Sequence, residues 1–200
     1  MCSRAASRDV FRWGAFAMTS AIIVGCGQPP ANQPALSAPA PTQSSVERGK
    51  YLVTITGCSD CHTTKTIGPN GPEADMSKNL AGHPEDFKMP APPKLSPDTP
   101  WAVVTSLTLT AWSGPWGVSF AANLTPDQNT GLGIWTEDMF VNAMRTGKHM
   151  GTSRPILPPM PWQDFAAMPD ADLKAIYAYL RTIPPIVNHV PDPIPPAGSK

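Results

Sequence analysis

Cys58-Ser59-Asp60-Cys61-His62 is the stretch from which the rest of this chain can be read. Cysteines three apart on one helical turn project to the same side, and the next residue brings an imidazole to the same place. At that spacing two thioethers hold the vinyl groups of a haem while the histidine binds its iron. The pentapeptide therefore predicts covalent haem attachment at Cys58 and Cys61, with His62 as the proximal iron ligand. Rival uses of the pair fare worse. A thioredoxin-like Cys-x-x-Cys belongs beside a βαβ pattern, and none is found. A zinc site requires two more ligands at a recognisable spacing, yet Cys2 and Cys26 form no second pair. A disulfide across two residues would leave the histidine unexplained.

Such attachment takes place outside the cytoplasm, and the N-terminus reads as an export address. Arg4, Arg8 and Arg12 make a positive region, and residues 15–24 form a short apolar run ending at Ile23-Val24-Gly25-Cys26. The run is well short of the ~20 residues of a membrane span. Its ending is similar to a bacterial lipobox, so residues 1–25 are expected to be a lipoprotein signal peptide and Cys26 the lipidated new N-terminus. Cysteine usage then closes: Cys2 leaves with the leader, Cys26 takes the lipid, and Cys58 and Cys61 take the haem. Residues 26–45, nearly all Gln, Pro, Ala, Ser, Thr and Asn, cannot bury enough apolar area to offset their ordering entropy and read as a tether. The expected location is the periplasmic side of a bacterial membrane.

Two hundred residues, 41% of them hydrophobic, suit one domain with a modest core, and 26 prolines imply long irregular stretches around it. Charged residues are 15% and the net charge is zero, which excludes a nucleic-acid-binding footprint. Loss of Arg4, Arg8, Arg12 and Asp9 with the leader takes the balance from 15 basic and 15 acidic residues to 12 and 14, so electrostatic steering to partners is mild.

Periodicity predicts a first helix over residues 46–56, with Gly49 leaving room for a crossing helix and Leu52 and Ile55 facing inward. Thr136 before Glu137 and Asp138 predicts an N-cap, with that helix running to Thr146 and ending at Gly147 in a left-handed C-cap. Leu173, Ile176, Tyr177 and Leu180 follow the i, i+3, i+4, i+7 rule and mark the buried stripe of a last helix, opened by Pro169 or Asp170 and closed by Pro184-Pro185. Residues 101–111 are rich in Val, Thr and Leu, and Ser113-Gly114-Pro115 supplies a turn before residues 116–122, which predicts a β-hairpin. Its use is open between covering a haem edge, docking a partner and plain stabilisation. Residues 187–200 read as a Pro-rich C-terminal tail lying along the surface.

The chain resembles the class I c-type cytochromes, most of all the monohaem lipoprotein type and the cytochrome subunits of bacterial respiratory dehydrogenases. The resemblance is carried by Arg48-Gly49-Lys50-Tyr51-Leu52-Val53, the haem motif, Asn123-Leu124-Thr125-Pro126-Asp127, Thr130-Gly131-Leu132-Gly133-Ile134-Trp135-Thr136, Arg145-Thr146-Gly147, Pro159-Met160-Pro161-Trp162 and the final helix. It implies a mainly α, cytochrome c-like helical domain over residues 46–186 around one covalent haem c. The first and last helices are expected to cross, and a late loop to supply a distal methionine. Met160 is the candidate, because the prolines around it hold its backbone extended; Met150 and Met89 are alternative thioethers, Met76 lies in a similar loop, and Met139, Met144 and Met168 read as core. His83, His149 and His189 are alternative sixth ligands. A methionine on iron raises the reduction potential, as suits an electron carrier.

His62 and Met160 lie 98 positions apart, so residues 63–122 are expected to be an insertion containing the hairpin. Within it, Gly68-Pro69-Asn70 looks like the family turn whose proline carbonyl accepts a hydrogen bond from the proximal histidine Nδ1. Trp135 and Trp162 are candidates for haem contact, and Arg145, Arg154 and Asn123 for the propionates. The implied function is electron transfer without catalysis, between redox partners such as a dehydrogenase, a terminal oxidase or another cytochrome. The competing class is a haem enzyme or gas sensor with an open iron position; a single Cys-x-x-Cys-His argues against a two-haem peroxidase.

Overall fold

The computed structural model describes residues 43–96 and 98–196; the leader, Cys26 and most of the tether lie outside the described residues. Helix α1, Ser45–Ile55, starts where Ser44 can cap it: the Ser44 hydroxyl accepts from Glu47 N at 3.2 Å, and the Glu47 carboxylate accepts from Ser44 N at 3.0 Å. Short helix α2, Cys58–His62, follows directly. Helix α3, Glu137–Thr146, is capped by the Thr136 hydroxyl on Met139 N at 3.1 Å and ends at Gly147 with φ 64° and ψ 29°. Helix α4, Trp162–Ala166, is a single turn, and α5, Asp170–Leu180, begins after Pro169.

Helices α1 and α5 cross at Gly49. A Cβ there would run into the Ala175 carbonyl oxygen and lie 2.8 Å from Tyr179 Cβ, so only glycine lets the two backbones come this close. Arg48 pins the crossing with a two-pronged ion pair to Asp172 at 2.9 and 3.0 Å. Leu52, Val53, Phe140, Ala143, Met144, Phe165, Leu173, Ile176 and Leu180 form the core, so Met144 is a packing methionine, and Met168 packs against its edge. Ile55 departs from expectation. It is 57% exposed, because α5 covers the face carrying positions 49, 52 and 53, and position 55 points away from it.

The stretch between α2 and α3 contains all the strands found among the described residues. Strands β1, Lys65–Gly68, and β2, Gly71–Ala74, pair antiparallel about a Pro69-Asn70 turn, a hairpin that the residue pattern does not announce. Strands β3, Val104–Thr105, β4, Ala111–Gly114, and β5, Gly117–Phe120, form an antiparallel meander in that order. The expected turn is present, since Gly114 pairs with Gly117 across Pro115-Trp116. Residues 101–111 are not one strand, however. Ser106 Oγ accepts from Ala111 N at 3.1 Å, and Ser106, Thr108 and Thr110 link their buried hydroxyls at 2.8 Å each, which curls the backbone inward.

After α5 the chain returns over the domain. Ile194 pairs with Val118 through N–H···O bonds of 2.7 and 2.9 Å, and Asn188 is buried. Among the described residues no helix is long and apolar enough to cross a membrane.

Candidate haem-attachment site

Gly57, in the left-handed conformation at φ 68°, turns the chain out of α1 and starts α2. Asn79 ties α2 down by accepting from Ser59 Oγ at 3.3 Å and Thr63 Oγ1 at 3.1 Å, while Lys65 Nζ donates to Ser59 O at 3.1 Å. The turn carries Cys58, half-buried, and Cys61, exposed, both as free thiols. Burial pushes the Cys58 thiol above its ordinary pKa, against a pull downward from the Thr56 hydroxyl, whose Oγ1 lies 3.4 Å from Sγ. Burial likewise raises Cys61, helped by Asp60 and opposed by Lys65. Both shifts run opposite to the thiolate-favouring environment of a nucleophilic or redox cysteine.

His62 Nδ1 lies 2.8 Å from the Ala122 carbonyl oxygen. A carbonyl only accepts, so Nδ1 carries the proton and Nε2 keeps its lone pair. Burial drives the imidazole pKa below the ordinary histidine value, the Ala122 bond opposing it, so the ring is neutral and fit to ligate a metal. The expected acceptor was Pro69, and the structure corrects this: Pro69 is exposed at the tip of the β1–β2 hairpin. Ala122, 60 residues beyond His62, does that work. No side-chain signal marks it, because the acting group is a backbone oxygen.

The Ala122 carbonyl sits in a tight backbone weave. Gly82 N donates to His62 O at 2.7 Å, His83 N to Ala121 O at 2.9 Å, and Leu124 N to Leu80 O at 2.8 Å. The following motif is likewise tied: Asp127 accepts from Thr130 N at 2.8 Å and Thr130 Oγ1 at 2.6 Å, and Arg181 donates to the carbonyls of Leu132 and Gly133.

Met160 is half-buried in the loop before α4, and both it and Cys58 pack against the helical core. Its carbonyl accepts from Trp162 N at 2.9 Å. Met150 is half-buried with a left-handed φ of 55°, Met89 lines an apolar groove beside the β3–β5 meander, and Met76 is 63% exposed. His83 is fully buried: Thr110 Oγ1 lies 2.9 Å from Nδ1, Phe87 and Phe120 flank the ring, and Nε2 has no hydrogen-bond partner. His149 stands edge-on to Trp135 at 5.0 Å between ring centres, and His189 is exposed. Of the propionate candidates, Arg145 spends its guanidinium on Ala166 O, Met168 O and Asp170, and Asn123 is buried in a loop network; Arg154 is exposed. Trp135 packs against the core and Trp162 against Gly147.

Among the described residues no three His, Cys, Asp or Glu side chains converge as a metal cage. Two free thiols and a bare Nε2 on one anchored turn instead fit an iron that brings its own equatorial ligands. No protein-family model matches the chain. It is similar to the fructose dehydrogenase cytochrome subunit of Gluconobacter japonicus, 28% identical over 84% of this chain and 27% of that one. The gluconate 2-dehydrogenase cytochrome c subunit of Pantoea cypripedii is 28% identical over 67% of this chain and 22% of that one. One of the nicotinate dehydrogenase subunits of Pseudomonas putida is 37% identical over 40% of this chain and 7% of that one. The chain thus spans about a quarter or less of the length of the curated relatives it matches. Relatives named as cytochrome subunits of dehydrogenases, matched over most of this chain, support its class as a c-type cytochrome.

Proposed function

We infer that this chain is a cytochrome c-like, single-haem electron carrier, not an enzyme, in which Cys58 and Cys61 would hold the porphyrin and His62 and Met160 would be the iron ligands. The observation that carries the reading is the His62 ring. Its Nδ1–H is committed to Ala122 O at 2.8 Å, which leaves Nε2 with its lone pair on the same helical turn as Cys58 and Cys61. When bound, the haem supplies a reversible one-electron change at iron. The chain's own work is to fix the imidazole, hold the Met160 thioether in a proline-stiffened loop and keep water away. Cys26 carries the lipid that keeps the domain on the periplasmic side of a membrane. The donor is a dehydrogenase, as the names of the relatives suggest, and the acceptor a terminal oxidase or another cytochrome.

Expression with haem-maturation machinery followed by intact-mass measurement tests the attachment: the polypeptide is expected to gain the mass of one haem, and Cys58→Ser/Cys61→Ser to gain none. Free sulfurs in the wild-type protein would end the reading. Ferric wild type is expected to show the weak red-edge band of methionine–iron ligation, and Met160→Ala to lose it and bind cyanide rapidly. An unchanged spectrum would return Met150, Met89, His83, His149 and His189 to contention. A wild type that lacks the band and binds cyanide rapidly would favour the open-site haem enzyme.

A further inference from the structure

Asn188 is 8% exposed, in a stretch whose composition promises only a surface tail. Its side chain is fully committed. Nδ2 donates to Ala81 O at 2.6 Å and His83 O at 2.9 Å, and Oδ1 accepts from Glu85 N at 2.9 Å. Its backbone is held in turn, N donating to Thr130 Oγ1 at 3.1 Å, while Asn123 Nδ2 donates to the neighbouring Ile186 O at 2.8 Å. One amide thus grips residues 81–85 from outside.

Residues 80–83 are the piece of chain that touches both ends of the His62 hydrogen bond. Gly82 N binds the carbonyl of His62 itself, and His83 N binds the carbonyl of Ala121, next to the acceptor. Leu80 O holds Leu124 from the other side. Gly82 has φ +80°, and a Cβ on it would lie 2.6 Å from Ala122 C and 2.7 Å from Ala122 O. The turn is therefore pressed directly on the peptide that accepts the imidazole hydrogen bond. Leu80 also has a positive φ, 59°, a conformation that a leucine holds only while its ties are in place.

We propose that Asn188 is a positioning residue for the proximal histidine: by locking residues 81–85 it sets the distance and angle of the Ala122 carbonyl on His62 Nδ1 and so tunes the iron. This rests on the haem reading given above. A well-placed acceptor on Nδ1–H makes the imidazole a stronger donor and favours ferric iron. Cutting the grip weakens that bond and shifts the balance toward ferrous iron, so the reduction potential rises.

The test is a redox titration of the purified holoprotein and of Asn188→Ala, with Thr136→Ala as a control that loses a remote helix cap and only stability. Asn188→Ala is expected to lower the ferric-to-ferrous ratio at fixed ambient potential about threefold to tenfold, roughly 30 to 60 mV for a one-electron couple. Thr136→Ala is expected to stay at the wild-type potential. Wild-type protein without bound haem would remove both readings, whereas haem present with the Asn188→Ala potential unmoved overturns this inference alone. Should Asn188→Ala not fold, hydrogen exchange on the wild-type holoprotein decides. The His62 Nδ1–H is expected to exchange together with the Gly82 and His83 amides, and an Nδ1–H more than about tenfold faster than both overturns the inference.

Discussion

His62 Nδ1–H donates to a backbone oxygen, and this divides what the sequence could and could not tell. Cysteines and a histidine at fixed spacing are conspicuous in the sequence, and the structure puts all three on one helical turn. Ala122 has no such mark, and Pro69 drew attention only by resemblance. His83 shows a different blind spot: a histidine in a polar stretch reads as solvated, yet it is fully buried on Thr110 between two phenyl rings. Burial holds its pKa below the ordinary histidine value, with the Phe87 backbone opposing, and the side chains it touches carry no charge. The unfolded chain therefore binds the proton first, as pH falls through about 6.5, and stability drops from there downward. In urea melts at pH 7 and pH 5, His83→Gln is expected to lose less stability on acidification than wild type; an equal loss would mean that the folded protein protonates His83 freely.

Helices were easier to foresee than strands. Thr136 and Gly147 cap α3 as their chemistry dictates, and Leu173, Ile176 and Leu180 line α5, because each signal is local and repeats at a fixed period. Ile55 was misplaced because the width of the buried face is set by the partner helix rather than by α1. In the inserted region the pattern broke down where hydroxyls from Ser106 to Thr110 bond one another and the backbone, which no count of β-branched residues reveals. The crossing at Gly49 yields the sharpest stability prediction. Gly49→Ala would drive a methyl into the Ala175 carbonyl and is expected to cost at least about 2 kcal/mol by urea denaturation. A near-neutral result would show that α1 can slide on α5.

Across the whole molecule, the irregular chain is as integral as the helices. Composition marked residues 187–200 as a tail, since prolines and small residues carry no period, but Ile194 pairs with Val118 and extends the meander. A chain ended at Val190 is expected to lose about 1–3 kcal/mol, the worth of two backbone hydrogen bonds, and to show faster amide exchange at Val118. Unchanged exchange there would mean that the pairing does not persist in solution. The helices hold the core, and the later segments bring the distant contacts together around α2.

The 60-residue reach from His62 to Ala122 also has a bearing on the order in which the domain closes around α2. Closing that loop costs about 2 kcal/mol more chain entropy than a seven-residue closure onto Pro69 would, so the imidazole is not gripped while the polypeptide is still emerging. On the proposed haem reading, thioethers at Cys58 and Cys61 would form before Ala122 holds the His62 ring, and the ring would take its final orientation only when residues around position 122 fold onto α2.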